Sequence, residues 1–329
     1  MATYKGIQGY TVQKLSSDPT ASEAEGQLWY NSGTGKFKIA VAGAGAWANG
    51  GTMNTVKSFA GSSGQGTRTA TLVFGGNVPP ATGDTESYNG TAWTELNNLT
   101  TARQRAGGFG ISTAAVCAGG NNVPPVLANC ETWNGTSWTE VNNLTTARGS
   151  VAAAGITTAG LLIGGTTSPT TSNTSDLNET WNGTCWTETA DLLTARWGLG
   201  GLGTTTAALA IGGHNGTTNL ASVESWNGTS WTEIADLTTA RRGFATSGTS
   251  QTLALIAGGN DPSDITAVTE TWNGTSWTEV ADLATAREVV SGSGTSTSAL
   301  AFGGTAPAIT GATEEWDDPV YTIKTVTVS

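Results

Sequence analysis

The sequence predicts an all-β protein in which six similar four-stranded units close into a ring, a six-bladed β-propeller. Three markers recur in constant order, each at intervals of 44 to 48 residues. Gly-Gly pairs that end apolar runs begin at Gly75, Gly119, Gly164, Gly212, Gly258 and Gly303. The first aromatic residues after a Glu are Tyr88, Trp133, Trp181, Trp226, Trp272 and Trp316. TAR triplets end at Arg103, Arg148, Arg196, Arg241 and Arg287, and Thr55-Val56-Lys57 stands in the equivalent place at the start. A fixed period of this size indicates a repeat architecture.

Each repeat reads as four short antiparallel strands. In residues 241–282, apolar runs of four to eight residues alternate with turn signals, in the order RRGFATSG, TLALIAGG, AVTETWNG and TSWTEVADL. An Asn-Gly pair, which tolerates positive φ, joins the last two strands as a hairpin. A sheet of about 45 residues cannot cover both of its own faces, so it must stack on its neighbours, and radial stacking closes a ring.

Side-chain size predicts which edge of each sheet faces the axis. The first strand of every repeat is rich in small residues: SFAGSSG, RAGGFG, SVAAAG, WGLGGLG, GFATSG and VVSGSG. Small side chains suit the innermost strand, because backbones approach one another closely there. The tryptophans fall in the third and fourth strands, where the gaps between sheets are wider.

The order of these markers resembles the kelch repeat. Over roughly residues 52 to 321, the markers follow one another in the same order: TAR, a strand rich in small residues, an apolar strand ending in Gly-Gly, a variable loop, E-T-W and N-G-T-S-W. The resemblance implies a propeller of the galactose oxidase type. It does not carry the oxidase activity, because that copper centre needs paired histidines and this chain has one, His214. The resemblance therefore implies a fold without a cofactor.

Residues that recur in every repeat are interpreted as structural. We expect the repeated arginines to form buried, hydrogen-bonded charge pairs with the Glu before each aromatic residue, because buried charges are normally paired. Those glutamates are Glu86, Glu131, Glu179, Glu224 and Glu270. The tryptophans are expected to be wedges between sheets. A ring of anion-binding arginines is the alternative.

Candidate binding residues lie in the loops between Gly-Gly and the next E-T-W, which differ in length and composition. In such a sheet these loops share one face with the links between repeats, so one face is variable and polar while the other is uniform. Diversified loops on a rigid scaffold favour a recognition surface, and loop drift without function is the alternative. The candidates are Asn77, Asp84, Asn121, Asn122, Asn129, Asn173, Asp176, His214, Asn215, Asn219, Asp261 and Asp264.

Residues 1–51 differ from the repeats and are predicted to be a strand-rich adaptor, with the propeller at 52–329. Leu28 to Tyr30 and Phe37 to Val41 flank a Gly-rich turn, and Trp47 stands where a fourth strand would be. The alternative is seven blades, with residues 27–49 and the C-terminal VYTIKTVTVS sharing the last sheet. The segment GQLWYNSGTGKFK resembles a hairpin of phage tail and fibre proteins, and the N terminus resembles kelch-like virion proteins of marine tailed bacteriophages.

Composition excludes several classes of protein. One His and three Cys supply neither a multi-histidine metal centre nor a disulfide scaffold for this length, so no metal or cofactor is expected. The net charge is −11 without a basic cluster, which argues against nucleic acid as a partner. There is no run of 18 apolar residues and no secretory leader pattern, so neither membrane insertion nor secretion is predicted.

No catalytic constellation is found. A Ser-His-Asp arrangement would depend on His214, which is interpreted as a solvated loop residue. Carboxylate pairs drawn from Asp84, Asp176, Asp261 or Asp264 stay open, because spacing cannot place two of them together. Cys117 and Cys130 fall on adjacent predicted strands, where either a disulfide or free thiols are possible.

The sequence thus predicts a non-enzymatic recognition protein. The phage resemblance implies a virion component on the tail, fibre or capsid, attached to other virion proteins through its N-terminal segment. A host glycan or protein is the candidate ligand of its variable face. The alternatives are a cytosolic kelch-type interaction module and an extracellular enzyme acting on polysaccharide.

Overall fold

The chain folds into strands and turns, as seen in a computed structural model. The structure describes residues 12–20, 24, 26–122, 124–169, 173–318 and 320–327. No helix occurs in these ranges. The chain divides into two compact units, Trp47–Asp317 and, from both chain ends, Met1–Ala46 with Asp318–Ser329. The sequence boundary at residue 51 placed the C-terminal segment with the repeats, whereas this division groups it with the N-terminal residues.

Six four-stranded antiparallel sheets make up the larger unit. Their innermost strands are β5 (Gly61–Ser62), β9 (Gly107–Ile111), β13 (Ala152–Ile156), β17 (Gly200–Thr204), β21 (Ala245–Ser250) and β25 (Ser291–Gly294). The second strands are β6 (Thr71–Phe74), β10 (Ala114–Ala118), β14 (Ala159–Ile163), β18 (Ala207–Ile211), β22 (Leu253–Ala257) and β26 (Ser298–Phe302). The third strands are β7 (Thr85–Tyr88), β11 (Cys130–Trp133), β15 (Asn178–Trp181), β19 (Val223–Trp226), β23 (Thr269–Trp272) and β29 (Thr313–Asp317). The outermost strands are β8 (Trp93–Leu96), β12 (Trp138–Val141), β16 (Trp186–Thr189), β20 (Trp231–Ile234), β24 (Trp277–Val280) and β4 (Ala46–Asn49). A small ribbon of β27 (Thr305–Ala306) and β28 (Ala308–Ile309) follows β26.

The six innermost strands surround one axis. Each contacts the innermost strand of the next sheet, and β25 contacts β5. Gly64, just after β5, forms parallel bridges to Gly110 on one side and Ser293 on the other. The last sheet combines β25, β26 and β29 with β4 from the start of the unit, so the two ends of this unit meet in one sheet.

The smaller unit contains the seventh four-stranded sheet, ordered β1 (Gln13–Leu15), β2 (Leu28–Asn31), β3 (Lys36–Gly43) and β30 (Val320–Thr325). β2 and β3 form the hairpin expected around the Gly-rich turn. Trp29, Ala40 and Ala24 form its small buried core. The described residues form seven four-stranded sheets, which fits the alternative of seven blades and exceeds the six that the repeats predict. As that alternative expects, segments before residue 49 share a sheet with the C-terminal strand.

The hydrophobic core lies between neighbouring sheets. One cluster joins Leu161 and Ile163 of β14 to Ala208 of β18 and Trp226 and Trp231 of the same next sheet. The third-strand and fourth-strand tryptophans are direct cross-strand partners, as in Trp226 and Trp231, whose rings are 5.2 Å apart. The expectation that these tryptophans are wedges between sheets is confirmed.

The repeated charges form buried pairs, as the sequence predicts. The pairs are Arg103–Glu131, Arg148–Glu179, Arg196–Glu224, Arg241–Glu270, Arg287–Glu314 and Lys57–Glu86. In the Arg103 pair, Nη1 also donates to the carbonyl oxygens of Gly119 and Asn129, and the Glu131 carboxylate accepts the amide hydrogens of Thr100 and Thr101. Each pair thus ties the link before a sheet to the second and third strands of that sheet.

An indole hydrogen bond connects some sheets and is missing at others. Trp138 Nε1 donates to Thr85 Oγ1 of the preceding sheet at 3.0 Å. At the equivalent place Val223 packs against Trp277, and the buried Trp277 Nε1 has no partner among the described residues. Val223→Thr is therefore expected to raise the free energy of unfolding by about 0.5–1.5 kcal/mol, because it supplies the acceptor.

Urea unfolding would measure this gain, and Thr85→Val is the matched reverse change, expected to lower stability by a similar amount. A Val223→Thr protein less stable than the parent would contradict the assignment, because the new hydroxyl would then be buried without its bond.

The three cysteines are free. Cys130 lies opposite Ala118 and Cys117 opposite Glu131, and the two thiols belong to different core clusters on either side of their sheet. Burial raises the pKa of both thiols to about 12. Cys185 is exposed in a hairpin turn. Of the two possibilities open from sequence, the structure has free thiols.

A thiol reagent such as Ellman's is therefore expected to react rapidly with one thiol per native chain, that of Cys185, and with three after denaturation, because the buried thiols lack both access and thiolate. Cys185→Ser is the control and is expected to leave no rapid reaction. Two rapidly reacting thiols in the native protein would contradict this burial.

Candidate functional site

A ring of six backbone hydrogen bonds surrounds the axis on the face that carries the variable loops. Each link between sheets donates an amide to the carbonyl of the link before it. The bonds are Arg105 N to Phe59 O (2.8 Å), Ser150 N to Arg105 O (2.8 Å), Gly198 N to Ser150 O (2.9 Å), Gly243 N to Gly198 O (2.9 Å), Val290 N to Gly243 O (3.2 Å) and Phe59 N to Val289 O (3.4 Å). We call the opening inside this ring the axial mouth.

The ring holds its residues in the left-handed region of φ. Gly198 and Gly243 adopt φ of 62° and 65°, which glycine tolerates. Phe59, Arg105 and Ser150 adopt 54°, 59° and 54° at equivalent places, at a cost of about 1–3 kcal/mol each. Side chains are therefore kept at the axial mouth although glycine would suit the backbone better.

Arg105 is a cation without a carboxylate partner in the described part of the chain. Its guanidinium carbon lies 4.2 Å from the centre of the Phe59 ring. Arg105 Nε is buried and donates to no acceptor among the described atoms. Burial lowers the pKa of this guanidinium.

Arg242 is the centre of a second cluster. Its guanidinium carbon lies 5.4 Å from the centre of the Trp197 ring, and Nη1 donates to Asn219 Oδ1 at 2.7 Å. The His214 ring is 5.2 Å from Trp197, and His214 Nδ1 accepts the Gly216 amide hydrogen. Burial, and secondarily the Arg242 charge, lower the pKa of His214. Both effects favour the neutral imidazole, and its Nδ1 is the acceptor of this hydrogen bond.

A cavity of about 130 Å³ lies at the axial mouth, and Arg105, Arg242, Trp197, Ser150 and Glu288 all line it. Ser150 is 8% exposed and its Oγ has no hydrogen-bond partner among the described residues. The Nε1 of Trp197 is buried and equally unpartnered within those ranges. The mouth thus combines two cations, one carboxylate, a hydroxyl and an indole donor.

The axial channel continues below the mouth as a second cavity of about 140 Å³, lined mainly by small residues of the innermost strands. Gln65, in the turn after β5, lines this cavity and donates from Nε2 to the carbonyl oxygen of Gly203 in β17. Since β17 is three sheets away from β5, this side chain crosses the channel. Gln65 therefore obstructs the axis below the axial mouth.

Two of the predicted binding residues, His214 and Asn219, contact residues that line the axial mouth. The His214 ring packs on Trp197, and Asn219 accepts a hydrogen bond from Arg242. Asn77 and Asn121 form β-bridges to Ser58 and Gln104, which directly precede Phe59 and Arg105 of the hydrogen-bonded ring.

The other predicted residues lie farther along the loops. The Asp84 carbonyl accepts Lys57 Nζ, and the Asn129 carbonyl accepts a hydrogen of Arg103. The Asp176 carbonyl accepts the amide hydrogen of Leu192, beyond the fourth strand of its sheet. The remaining residues bond backbone groups in their own loops: Asn122, Asn173, Asn215, Asp261 and Asp264. Their role in binding stays a prediction.

Sequence reasoning missed the mouth residues themselves. Phe59, Arg105, Ser150, Trp197 and Arg242 occupy the two positions after each TAR or its equivalent. The TAR triplet is constant, whereas the two residues after it differ from repeat to repeat. This variation next to a constant motif is the signal that could have identified the mouth residues. Each chemical group occurs once or twice, so it does not register as part of the repeat.

Within the described ranges, no three His, Cys, Asp or Glu side chains are grouped so that they could hold a metal ion. The same part of the chain has no helix of the length and hydropathy needed to cross a membrane.

Four-stranded sheets stacked around an axis, with light strands inside and tryptophans between the sheets, define the protein as a β-propeller. Comparison with known proteins agrees. No family model matches the chain, and no curated protein is significantly similar to it. In contrast, 360 solved chains match in structure. One is YjhT, with a TM-score of 0.67 and 12% identity over 83% of this chain and 99% of that one. At this identity the likeness shows the fold alone.

Proposed function

We propose that the chain is a non-enzymatic recognition protein with a six-bladed kelch-type propeller, and that its ligand binds at the axial mouth. The seventh sheet is then not counted as a blade. The cyclic order of contacts among six innermost strands, and the ring of six hydrogen bonds, support this count. The order of the repeat markers supports the kelch type.

One observation carries the proposal. The residues that recur in every repeat are used in buried ion pairs and packing, whereas the residues that differ converge on the axial mouth. A protein conserving only its shape would have no need for strained, unpaired polar side chains there. The position after each TAR is where a rigid scaffold can change its specificity without changing its core.

The ligand is expected to be a host-surface component, and a glycan array probed with the full-length chain would test this. Ser150→Trp places a large side chain in the axial mouth and is expected to abolish binding. Thr275→Trp, at an exposed turn on the uniform face, is the control and should bind as the parent does. Binding that survives Ser150→Trp, or product formed from a bound glycan, would overturn the proposal.

The proposed setting is a phage particle, with the N-terminal residues as the attachment segment. The resemblance of GQLWYNSGTGKFK to tail and fibre hairpins supports it. Deleting residues 1–45 is expected to abolish incorporation into particles, as measured by mass spectrometry of purified virions, while the isolated variant keeps its β-sheet circular dichroism. Unchanged incorporation would refute the role of this segment, and absence of the parent protein from particles would favour the cytosolic interaction module.

A further inference from the structure

The arginines at the axial mouth differ from the other arginines of the chain in having no carboxylate partner among the described residues. The chain has eight arginines. Six of them have a carboxylate within 4.0 Å: Arg68, Arg103, Arg148, Arg196, Arg241 and Arg287. Arg105 and Arg242 have none among the described residues, and both line the cavity of the axial mouth. In a chain with 25 acidic residues, leaving two half-buried guanidinium groups unpaired points to an external anion.

Arg105 and Arg242 belong to links on opposite sides of the ring, and both line its cavity. Arg105 belongs to the hydrogen-bonded ring, and Gly243, next to Arg242, is three steps further around its six members. Each guanidinium rests on an aromatic ring of the neighbouring link, Phe59 or Trp197, which holds the side chain without neutralising it. An oxyanion on the axis could therefore accept hydrogen bonds from both sides.

The other polar groups at the axial mouth indicate which class of molecule bears the negatively charged group. Ser150 Oγ, buried and unpartnered in the described structure, can both donate and accept. The buried Trp197 Nε1 lacks an acceptor among the described residues, and the partly exposed Glu288 carboxylate can accept hydrogen bonds. Hydroxyl groups meet all of these needs. A peptide with several carboxylates meets fewer of them, because Glu288 repels a second negative charge.

We propose that the axial mouth binds a sugar residue that bears a carboxylate or a sulfate, with the oxyanion between Arg105 and Arg242 and the hydroxyl groups toward Ser150 and Glu288. This rests on the proposed function in taking the axial mouth as the binding site. Titration with galacturonate and with galactose 6-sulfate distinguishes a carboxylate from a sulfate as the bound group.

The test is calorimetric titration of the full-length protein, at fixed ionic strength, with galacturonate, galactose 6-sulfate, galactose and triglutamate. One or both acidic sugars are expected to bind at least about tenfold more tightly than galactose, as charge-assisted hydrogen bonds require. Arg105→Gln and Arg242→Gln should each remove about tenfold or more of that affinity. Thr275→Trp should leave it unchanged, and thermal melting would establish that every variant is folded.

Arginine Nε–Hε resonances give a second measurement that does not depend on variants. The two signals that disappear in the glutamine variants, those of Arg105 and Arg242, are expected to shift on adding the acidic sugar. Equal affinity for galactose, tighter binding of triglutamate, or unshifted signals would each overturn this inference. If the glycan array shows neutral glycans held at the axial mouth, the proposed function stands and the anion assignment alone fails.

Discussion

Replacing Arg241 by alanine is expected to lower the free energy of unfolding by about 3–5 kcal/mol, whereas the same change at the next residue, Arg242, should cost less than about 1 kcal/mol. The Arg241 side chain is inaccessible, and Nη2 donates to Glu270 Oε1 at 2.6 Å. Without it, the Glu270 carboxylate stays buried with the Thr238 amide as its remaining described donor. Arg242 is half-buried at the axial mouth and leaves no carboxylate behind.

Urea unfolding of the two single variants would measure the difference between these adjacent arginines. The double variant Arg241→Met with Glu270→Leu is the further control. It should recover part of the loss, because it removes both buried charges and keeps their volume apolar. Equal losses at Arg241 and Arg242 would show that the buried pair contributes no more to stability than a half-buried arginine without a carboxylate partner.

The sequence predicted those parts of the fold that are repeated. The Arg and Glu of each pair recur with one period, so their partnership follows from their spacing once the strands are placed. Light first strands and Asn-Gly turns predict the inner edge and the hairpins for the same reason. Five or six examples of each feature make the pattern robust against local variation.

What the sequence did not predict occurs once. Arg105 and Trp197 are far apart in the chain and come together only because the innermost strands close around an axis. The positions just after TAR carry different side chains from one repeat to the next, so periodicity does not single these two residues out. The seventh sheet was missed as the main interpretation because it joins residues 28–43 to 320–325 without a repeat.

Gly-Gly pairs show why local chemistry is needed beside periodicity. Gly75 adopts φ of 63°, and a Cβ there would lie 2.5 Å from the Arg103 carbonyl oxygen. The glycine allows the buried arginine's own backbone to pass close to the end of the second strand. The three sequence markers are thus parts of one packing arrangement, which explains why they recur together.

Trp47→Ala is expected to lower the free energy of unfolding by about 2–4 kcal/mol and to release the last sheet before the others. Trp47 packs on Trp316, with ring centres 5.5 Å apart, and donates from Nε1 to Thr269 Oγ1 at 3.0 Å. It belongs to β4, the strand that joins the start of the unit to β25, β26 and β29 at its end. Losing this contact therefore weakens the closure of the ring as well as one core cluster.

Trp138→Ala is the matched control, because that residue occupies the same fourth-strand position in a sheet formed by one continuous segment. Both variants should lose stability to a similar extent, but their hydrogen exchange should differ. Trp47→Ala is expected to expose the amides of 291–317 first, since the strand that holds this sheet to the beginning of the ring is the one weakened. If exchange in the Trp47 variant increases evenly over all six sheets, the ring opens as one cooperative unit. The last sheet would then be no less stable locally than the others, and this prediction would be wrong.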